Sequence, residues 1–152
     1  MTSLPRRSSL GYQINHLARL LGNGLRVNIA GAGVTPGQFA QLLALYEQDG
    51  LTQQELCERV RIDQSTMAHT LKRMQRDGLI VRVTDPQDRR RSRYLLTERA
   101  REIQSELTQG ARTTNARALR GIGEEEFGAF MRTLDRMIAN LEEDDQPAPA
   151  AE

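Results

Sequence analysis

Apolar residues recur along the chain at the three- and four-residue spacings that indicate amphipathic helices. The first apolar stripe, in residues 10–29, consists of Leu10, Ile14, Leu17, Leu21 and Leu25. Ser8 or Ser9 is placed to cap the start of this helix, and Gly31 and Gly33 interrupt the pattern at its end. The sequence therefore predicts a long first helix with one apolar face.

Two start signals mark the next two helices. Residues 35–38 (Thr-Pro-Gly-Gln) combine an N-cap threonine, a proline at the first helical position and a glutamine three residues after the cap. This helix is expected to end near Gly50 and to bury Phe39, Leu42, Leu43 and Tyr46. Residues 52–55 (Thr-Gln-Gln-Glu) form a full capping box, which opens a short helix with Leu56 and Val60 on its inner face.

A further helix follows after a turn of only three residues, 61–63, in which Asp63 is placed as its cap. Gly78 is positioned to end this helix. Its predicted apolar face consists of Met67, Leu71 and Met74. A short helix, a three-residue turn and a second helix are the signature of a helix-turn-helix.

The segment after this motif has the pattern of a β-hairpin. Residues 79–84 alternate with the period of a strand, and residues 85–88 (Asp-Pro-Gln-Asp) turn the chain. Three arginines occupy positions 89–91, at the tip of the hairpin, and residues 93–96 can pair back as its second strand. The sequence predicts a mainly α fold with a small β-hairpin wing, a winged helix-turn-helix over residues 35–97.

Helices are also predicted on the C-terminal side of the wing. The first begins after Thr97 and carries on one face Ala100, Ile103 and Leu107. Residues 124–126 are three glutamates, which suit the positive N-terminal end of a last helix. Residues 142–152 are acidic and then rich in proline and alanine, so this tail is predicted to be disordered.

The first and last helices carry more apolar surface than a winged unit of this size needs for its core. We therefore predict that residues 1–34 and residues 98–141 are dimerisation segments, which pack against the same helices of a second chain. The alternative is that all helices pack within one monomer. The predicted dimer contacts are Leu10, Ile14, Leu17, Phe127, Phe130, Leu134, Met137 and Leu141.

The net charge of +1 hides a strongly asymmetric distribution. Residues 59–93 contain ten basic and four acidic side chains, a net charge of +6. Residues 124–152 contain two basic and nine acidic side chains, a net charge of −7. A basic block followed by an acidic tail indicates a polyanion-binding element, the alternative being an ordinary solvated basic face.

Several other classes of protein are disfavoured. The two histidines, His16 and His69, and the single Cys57 form no metal-binding or nucleophilic motif, so we expect no enzyme, cofactor or metal. One cysteine excludes an internal disulfide, and we interpret Cys57 as a small buried residue rather than a redox sensor. No membrane span or secretory signal is present, so a cytoplasmic location is expected.

The order and spacing of these motifs resemble the MarR family of bacterial transcriptional regulators over residues 10–141. The most specific part is the wing, where residues 85–97 (Asp-Pro-Gln-Asp-Arg through Leu-Thr) fit the family's D-P-x-D-x-R pattern ending in L-T. Residues 34–39 are similar to the start of the family's second helix, and Ser65-Thr66 and Lys72-Arg73-Met74 to its recognition helix. Ala68, His69 and Lys72 depart from that helix's usual residues, so base preference is not transferred.

The resemblance implies a homodimer whose recognition helix and wing dock on duplex DNA. On the recognition helix, the residues that turn away from the apolar face are expected to contact DNA. They are Gln64, Ser65, Thr66, Ala68, His69, Lys72 and Arg73. The N-terminal members are placed to reach base edges and Lys72 to meet phosphates. Two alternatives remain: Lys72 is a solvated surface charge, and Arg73 forms an ion pair that supports the wing.

In the wing, family position favours Arg90 as the arginine that enters the minor groove, with Asp88 orienting its guanidinium. The remaining predicted wing contacts, which meet phosphates or water, are Arg89, Arg91 and Arg93. Two recognition helices and two wings in a dimer predict a pseudo-palindromic operator with half-site centres about 10 bp apart, or a multiple of that.

The resemblance also implies a site for small, often anionic aromatic effectors between the dimer helices and the winged domain. Tyr12, His16 and Gln38 are candidates to line such a cleft, the alternative being that they serve helix packing. The sequence thus predicts a sequence-specific regulator of transcription, a repressor relieved by a small molecule. The alternative is a winged helix used only for protein–protein interaction.

Overall fold

The computed structural model describes residues 5–144, which form seven α-helices and three short strands. In chain order these are α1 (Leu10–Asn28), α2 (Pro36–Glu47), β1 (Leu51–Thr52), α3 (Gln53–Val60), α4 (Gln64–Arg76), β2 (Ile80–Thr84), β3 (Ser92–Leu96), α5 (Glu98–Glu102), α6 (Gln104–Ala118) and α7 (Glu124–Asp144). Short 3-10 turns lie at Arg6–Ser8 and Ala30–Ala32. The predicted fold, mainly α with a small β wing, is confirmed.

The helices of the winged unit begin where the sequence supplies a side-chain cap. At α3 the capping box is complete: Thr52 Oγ1 accepts from the Glu55 N–H at 3.2 Å, and Glu55 Oε2 accepts from the Thr52 N–H at 2.7 Å. Asp63 caps α4 and Thr97 caps α5. Because each cap satisfies a main-chain N–H that the helix itself leaves unpaired, these residues fix where the elements start.

The sheet has three strands in the order β1-β3-β2, all antiparallel. β2 and β3 form the predicted hairpin, with Val81 opposite Leu95. The sequence missed β1, whose Leu51 pairs with Tyr94. A strand of two residues has no alternating pattern to detect, and its pairing ties the start of α3 to the base of the wing.

The core lies mostly between α2, α3, α4 and the sheet, and its largest fully buried side chains include Leu42, Leu45, Leu56, Met67, Leu71 and Met74. The expectation that α2 buries Leu43 is wrong, because this side chain is 41% exposed while Leu45 is 1% exposed. Buried positions occur almost all around α2, including Gln38, Gln41 and Ala44. A helix surrounded by neighbours has no single apolar stripe, which is why the assignment failed.

The C-terminal region differs from its prediction in two ways. The helix predicted after Thr97 is interrupted at Ile103, where α5 ends and α6 begins. α7 continues to Asp144, so the first three positions of the tail predicted to be disordered are helical, and the rest lie outside the described residues. The chain divides into two compact units, of which the first ends at Asn115 and the second begins at Ala116.

Candidate nucleic-acid interface

α4 presents one buried and one exposed face. The buried face of α4 consists of Met67, Thr70, Leu71 and Met74. The exposed face carries all of the residues predicted to contact DNA from this helix, Gln64, Ser65, Thr66, Ala68, His69, Lys72 and Arg73. Most of them, from Ser65 to Arg73, line one open stretch of surface. The exposed face of α4 is therefore rich in hydrogen-bond donors, and it also includes the apolar side chain of Ala68.

The start of α4 is held by side-chain hydrogen bonds. Asp63 Oδ1 accepts from the Thr66 N–H at 2.8 Å, and Asp63 Oδ2 accepts from the Thr66 hydroxyl at 2.6 Å. These bonds hold the pKa of Asp63 below its usual range, with the Thr66 hydroxyl as the largest cause. The Gln53 amide nitrogen of α3 lies 2.9 Å from Gln64 Oε1, so the first side chain of α4 is also held.

Further along α4, the cationic side chains extend from the surface. Lys72 and Arg73 are exposed, and among the described residues neither forms an ion pair. Arg73 therefore has no carboxylate partner in residues 5–144 with which it could form the alternative, an ion pair that supports the wing. Both charges remain available to a polyanion.

The wing turn is organised by two aspartates. Asp85 is buried, and its Oδ1 accepts from the Gln87 N–H at 3.0 Å. Asp88 Oδ1 accepts from the main-chain N–H of Arg90 at 3.0 Å, while its Oδ2 lies 3.6 Å from Arg91 Nε. The expectation that Asp88 orients the Arg90 guanidinium needs correction, because Asp88 holds the backbone of Arg90 and pairs with the side chain of Arg91.

The wing arginines differ in what they contact. Arg89, Arg90 and Arg91 are exposed. Arg93 instead donates from Nε to Asp85 Oδ2 at 2.9 Å and from Nη1 to the carbonyl oxygen of Gly50 at 2.8 Å. The pKa of the Asp85 carboxyl lies below its usual range, chiefly because of the Gln87 N–H and then Arg93. The structure therefore gives Arg93 an internal role that the sequence did not indicate.

Arg82 was not singled out from the sequence, yet it lies on the exposed side of β2. Its Nε donates to Ser92 Oγ at 2.8 Å, which places the guanidinium across the hairpin. A groove runs here between the start of the helix-turn-helix and the wing strands, lined by Thr52, Gln53, Gln54, Gln64, Arg82, Arg91, Ser92 and Tyr94. The first residue of α4 and two wing arginines thus line the same groove.

The C-terminal end of α4 is anchored through Asp77. Its Oδ1 accepts from Arg76 Nε at 3.0 Å and its Oδ2 from Gln38 Nε2 at 2.8 Å, and the Arg99 guanidinium bonds its carbonyl oxygen. These partners, Arg76 first, hold the pKa of Asp77 below its usual range. Gln38 Oε1 in turn accepts from the Thr35 N–H at 3.1 Å, so both ends of this buried amide are used.

Tyr12 and His16 lie together on α1, with stacked rings whose centroids are 6.4 Å apart. His16 Nδ1 is 2.8 Å from Arg19 Nη2, which makes Nδ1 the acceptor. The two rings line a surface depression together with Pro5, Arg6, Arg7 and Gln13. Gln38 does not line this depression, and Arg6 and Arg7 are cations that the sequence analysis did not associate with it.

Cys57 is buried in α3. Burial raises the pKa of its thiol, and the nearby Asp63 and Glu58 carboxylates raise it further. This environment disfavours the thiolate that redox sensing requires. Within residues 5–144, no cluster of three or more histidine, cysteine, aspartate or glutamate side chains is arranged to hold a metal ion, and no helix is long and apolar enough to cross a membrane.

Comparison with known proteins identifies the winged unit. The sequence model of the MarR family matches residues 32–91. The uncharacterized HTH-type transcriptional regulator YsmB of Bacillus subtilis (strain 168) is 35% identical over 111 residues, which are 71% of this chain and 76% of that protein. The match thus extends well beyond the helix-turn-helix.

Solved structures agree with this assignment. A MarR family transcriptional regulator from Silicibacter pomeroyi is 30% identical and has a TM-score of 0.74, over 91% of this chain and 96% of its own. The PcaV transcriptional regulator of Streptomyces coelicolor, crystallised with its natural ligand, is 28% identical, with a TM-score of 0.84 over 91% and 98% of the two chains. The chain belongs to the MarR family of transcriptional regulators and has the DNA-binding winged helix-turn-helix fold.

Proposed function

We propose that the protein is a sequence-specific repressor that binds duplex DNA as a homodimer, with α4 in the major groove and the wing in the minor groove. The observation that carries the proposal is the shared groove: Gln64, at the start of α4, and the wing arginines Arg82 and Arg91 line one surface. A duplex whose major groove receives α4 passes its backbone and adjacent minor groove along such a surface.

Within this arrangement, the side chains divide between base contact and phosphate contact. Gln64, Ser65 and His69 reach base edges, because they belong to the exposed N-terminal half of α4. Lys72, Arg73, Arg89 and Arg91 meet phosphates, which fix the position of the protein without reading sequence. Arg90 enters the minor groove, where narrow A·T-rich segments concentrate negative potential. Thr66 contributes through its methyl group and hydroxyl oxygen, since its proton is donated to Asp63.

Exposed apolar side chains on α1 and on α7 support dimerisation. On α1 the exposed members include Leu10 at 55% and Leu17 at 40%, and on α7 they include Phe130 at 45% and Leu141 at 67%. Each helix thus exposes several large apolar residues to solvent in the single chain, and a second chain would cover them. Dimerisation places two α4 helices about one two-fold axis and requires a pseudo-palindromic operator.

Effector control is proposed at the depression beside Tyr12 and His16. The aromatic ring of Tyr12 offers a stacking surface, and Arg6 and Arg7 supply positive charge next to it. These residues suit a small anionic aromatic compound. A ligand complex is known for the similar PcaV regulator, which supports small-molecule control in this chain. An effector with higher affinity for the DNA-free state would relieve repression.

Selection of bound duplexes from a random-sequence pool, using the purified full-length protein, tests the proposal. The expected result is an enriched motif with two inverted half-sites whose centres lie about 10 bp apart, or a multiple of that. A single unpaired half-site would contradict the dimeric mode of binding. Enrichment of no sequence would contradict DNA recognition altogether and would favour a winged helix used for protein–protein interaction.

A further inference from the structure

We propose that Gln53, a residue of α3, positions the side-chain amide of Gln64 and so sets an adenine preference at one base of each half-site. This inference rests on the proposed function, because it assumes that the start of α4 faces a base edge. It assigns a role in base recognition to Gln53, a residue outside the recognition helix. Gln53 influences base preference only through its contact with Gln64.

The two side chains meet across the turn of the helix-turn-helix. Gln53 is the first residue of α3 and Gln64 is the first residue of α4. The Nε2 atom of Gln53 lies 2.9 Å from Gln64 Oε1 and 3.3 Å from the main-chain carbonyl oxygen of Gln64. Both residues line the groove between the helix-turn-helix and the wing.

The main-chain carbonyl fixes the orientation of both amides. A carbonyl oxygen only accepts hydrogen bonds, so the Gln53 atom beside it is the amide nitrogen. The Gln64 atom that faces the same nitrogen is therefore an acceptor, its Oε1. The reverse orientation of Gln64 would bring two N–H groups together. As a result, the Nε2 group of Gln64 points away from Gln53, and the oxygen and nitrogen of this exposed amide are not interchangeable.

The groups that remain free on Gln64 match adenine. Its Oε1 has a second acceptor site, and its Nε2 carries two hydrogens with no partner among residues 5–144. Adenine presents one donor, the N6 amino group, and one acceptor, N7, to the major groove. Guanine presents two acceptors there, which leaves the Gln64 oxygen without a donor. A held amide also loses less rotamer freedom on binding than a free one.

Base preference, measured position by position, separates this role from a merely structural one. Three full-length variants are compared with the wild type in duplex selection: Gln53→Met, Gln64→Met and, as the matched control, Gln104→Met. Methionine keeps the length of the side chain and removes the amide. Gln104 is also an exposed glutamine at the first position of a helix, but it opens α6 and does not line the groove between the helix-turn-helix and the wing. Thermal unfolding of each variant establishes that it is folded.

The wild type is expected to select adenine at one position of each half-site. Gln64→Met should reduce discrimination at that position by about 5- to 150-fold. Gln53→Met should reduce it at the same position by about 3- to 10-fold, as expected for one lost hydrogen bond. Gln104→Met should leave this discrimination unchanged. Adding Gln53→Met to Gln64→Met should have no further effect at that base, because the group being positioned is gone.

Failure of this inference is distinct from failure of the proposed function. If the wild type selects a motif but Gln53→Met leaves every position unchanged, positioning by Gln53 is wrong and DNA recognition stands. The same holds if the position that Gln64 controls prefers another base. Selection of no motif by the wild type overturns both proposals.

Discussion

Arg90 and Arg93 lie three residues apart in the wing and are held in different ways. The guanidinium of Arg93 donates to Asp85 and to the carbonyl oxygen of Gly50. Arg90 is held through its main-chain N–H, which donates to Asp88, and its guanidinium has no partner within residues 5–144. Replacing Arg93 should therefore destabilise the fold, and replacing Arg90 should weaken DNA binding.

Arg90→Ala is expected to reduce affinity for the selected duplex by about 5- to 150-fold, which corresponds to about 1–3 kcal/mol for a base-reading arginine. The loss should be largest for operators with A·T pairs under the wing. Fluorescence anisotropy with a labelled duplex measures it, with Arg117→Ala on the exposed surface of α6 as the control. Equal losses in the two variants would argue against a specific wing contact.

Arg93→Ala is expected to lower the stability of the winged unit, because it leaves the buried Asp85 carboxylate without its cation. The lost hydrogen bond to the Gly50 carbonyl alone costs about 1 kcal/mol. Urea unfolding followed by circular dichroism gives the change in midpoint. Arg89→Ala, at an exposed position of the same turn, should leave the free energy of unfolding within about 0.5 kcal/mol of the wild-type value. An unchanged midpoint in Arg93→Ala would contradict the internal structural role and would favour the original prediction that Arg93 contacts DNA.

Asp85 also gives the stability a defined dependence on pH. Its pKa is lowered in the folded state, so the unfolded chain binds a proton more readily and the carboxylate stabilises the fold above its ordinary pKa of 3.8. This contribution is lost as the pH falls through the lowered value. The difference in urea midpoint between the wild type and Asp85→Asn should be constant from about pH 6 to pH 5 and should shrink below 3.8. Glu47→Gln, exposed at the end of α2, is the control.

At the scale of elements, the helix starts were predictable because a cap is a local signal. The sequence 52–55 contains both partners of its box, and the two bonds at the start of α3 form as expected. The face of α2 was not predictable, since burial of Gln41 or exposure of Leu43 depends on which elements surround the helix. The two residues of β1 are strand only because β3 lies beside them.

Thr52→Ala tests the role of the capping box. Its removal leaves the Glu55 N–H without its acceptor, and we expect the free energy of unfolding to fall by about 0.5–2 kcal/mol. The effect should be larger than that of Thr113→Ala, because Thr113 is exposed within α6 and caps no helix. Urea unfolding of the two variants provides the comparison. Equal changes would show that the box contributes little to α3.

Among the residues of the candidate site, those positioned by local sequence could be predicted, and those that depend on a distant partner could not. The exposed face of α4 and the arginines of the wing could be identified from the sequence, because helical period and the hairpin pattern place them. The sequence did not separate Arg93 from Arg90, since the Gly50 carbonyl that binds Arg93 lies 43 positions away. The pairing of Gln53 with Gln64 likewise depends on how the three-residue turn brings two helix starts together.

For the whole molecule, the distribution of charge matters more than its sum. The net charge of +6 in residues 59–93 belongs to α4, the wing and their surroundings, while the net charge of −7 lies in residues 124–152, which begin with α7. Positive charge concentrated on the recognition elements attracts phosphate groups, and counterions must leave the duplex when it binds. A chain that is nearly neutral overall is therefore expected to bind DNA with a strong dependence on salt.

The salt dependence of DNA affinity tests the central claim most directly. The dissociation constant for the selected duplex is measured by fluorescence anisotropy between 50 and 200 mM salt, with a scrambled duplex for comparison. If the two helices and two wings of a dimer make about six to ten phosphate contacts, affinity should fall by about 10³- to 10⁵-fold across this range, and the selected duplex should bind more tightly throughout. Affinity that does not change with salt, or equal affinity for the two duplexes, would contradict DNA recognition by α4 and the wing.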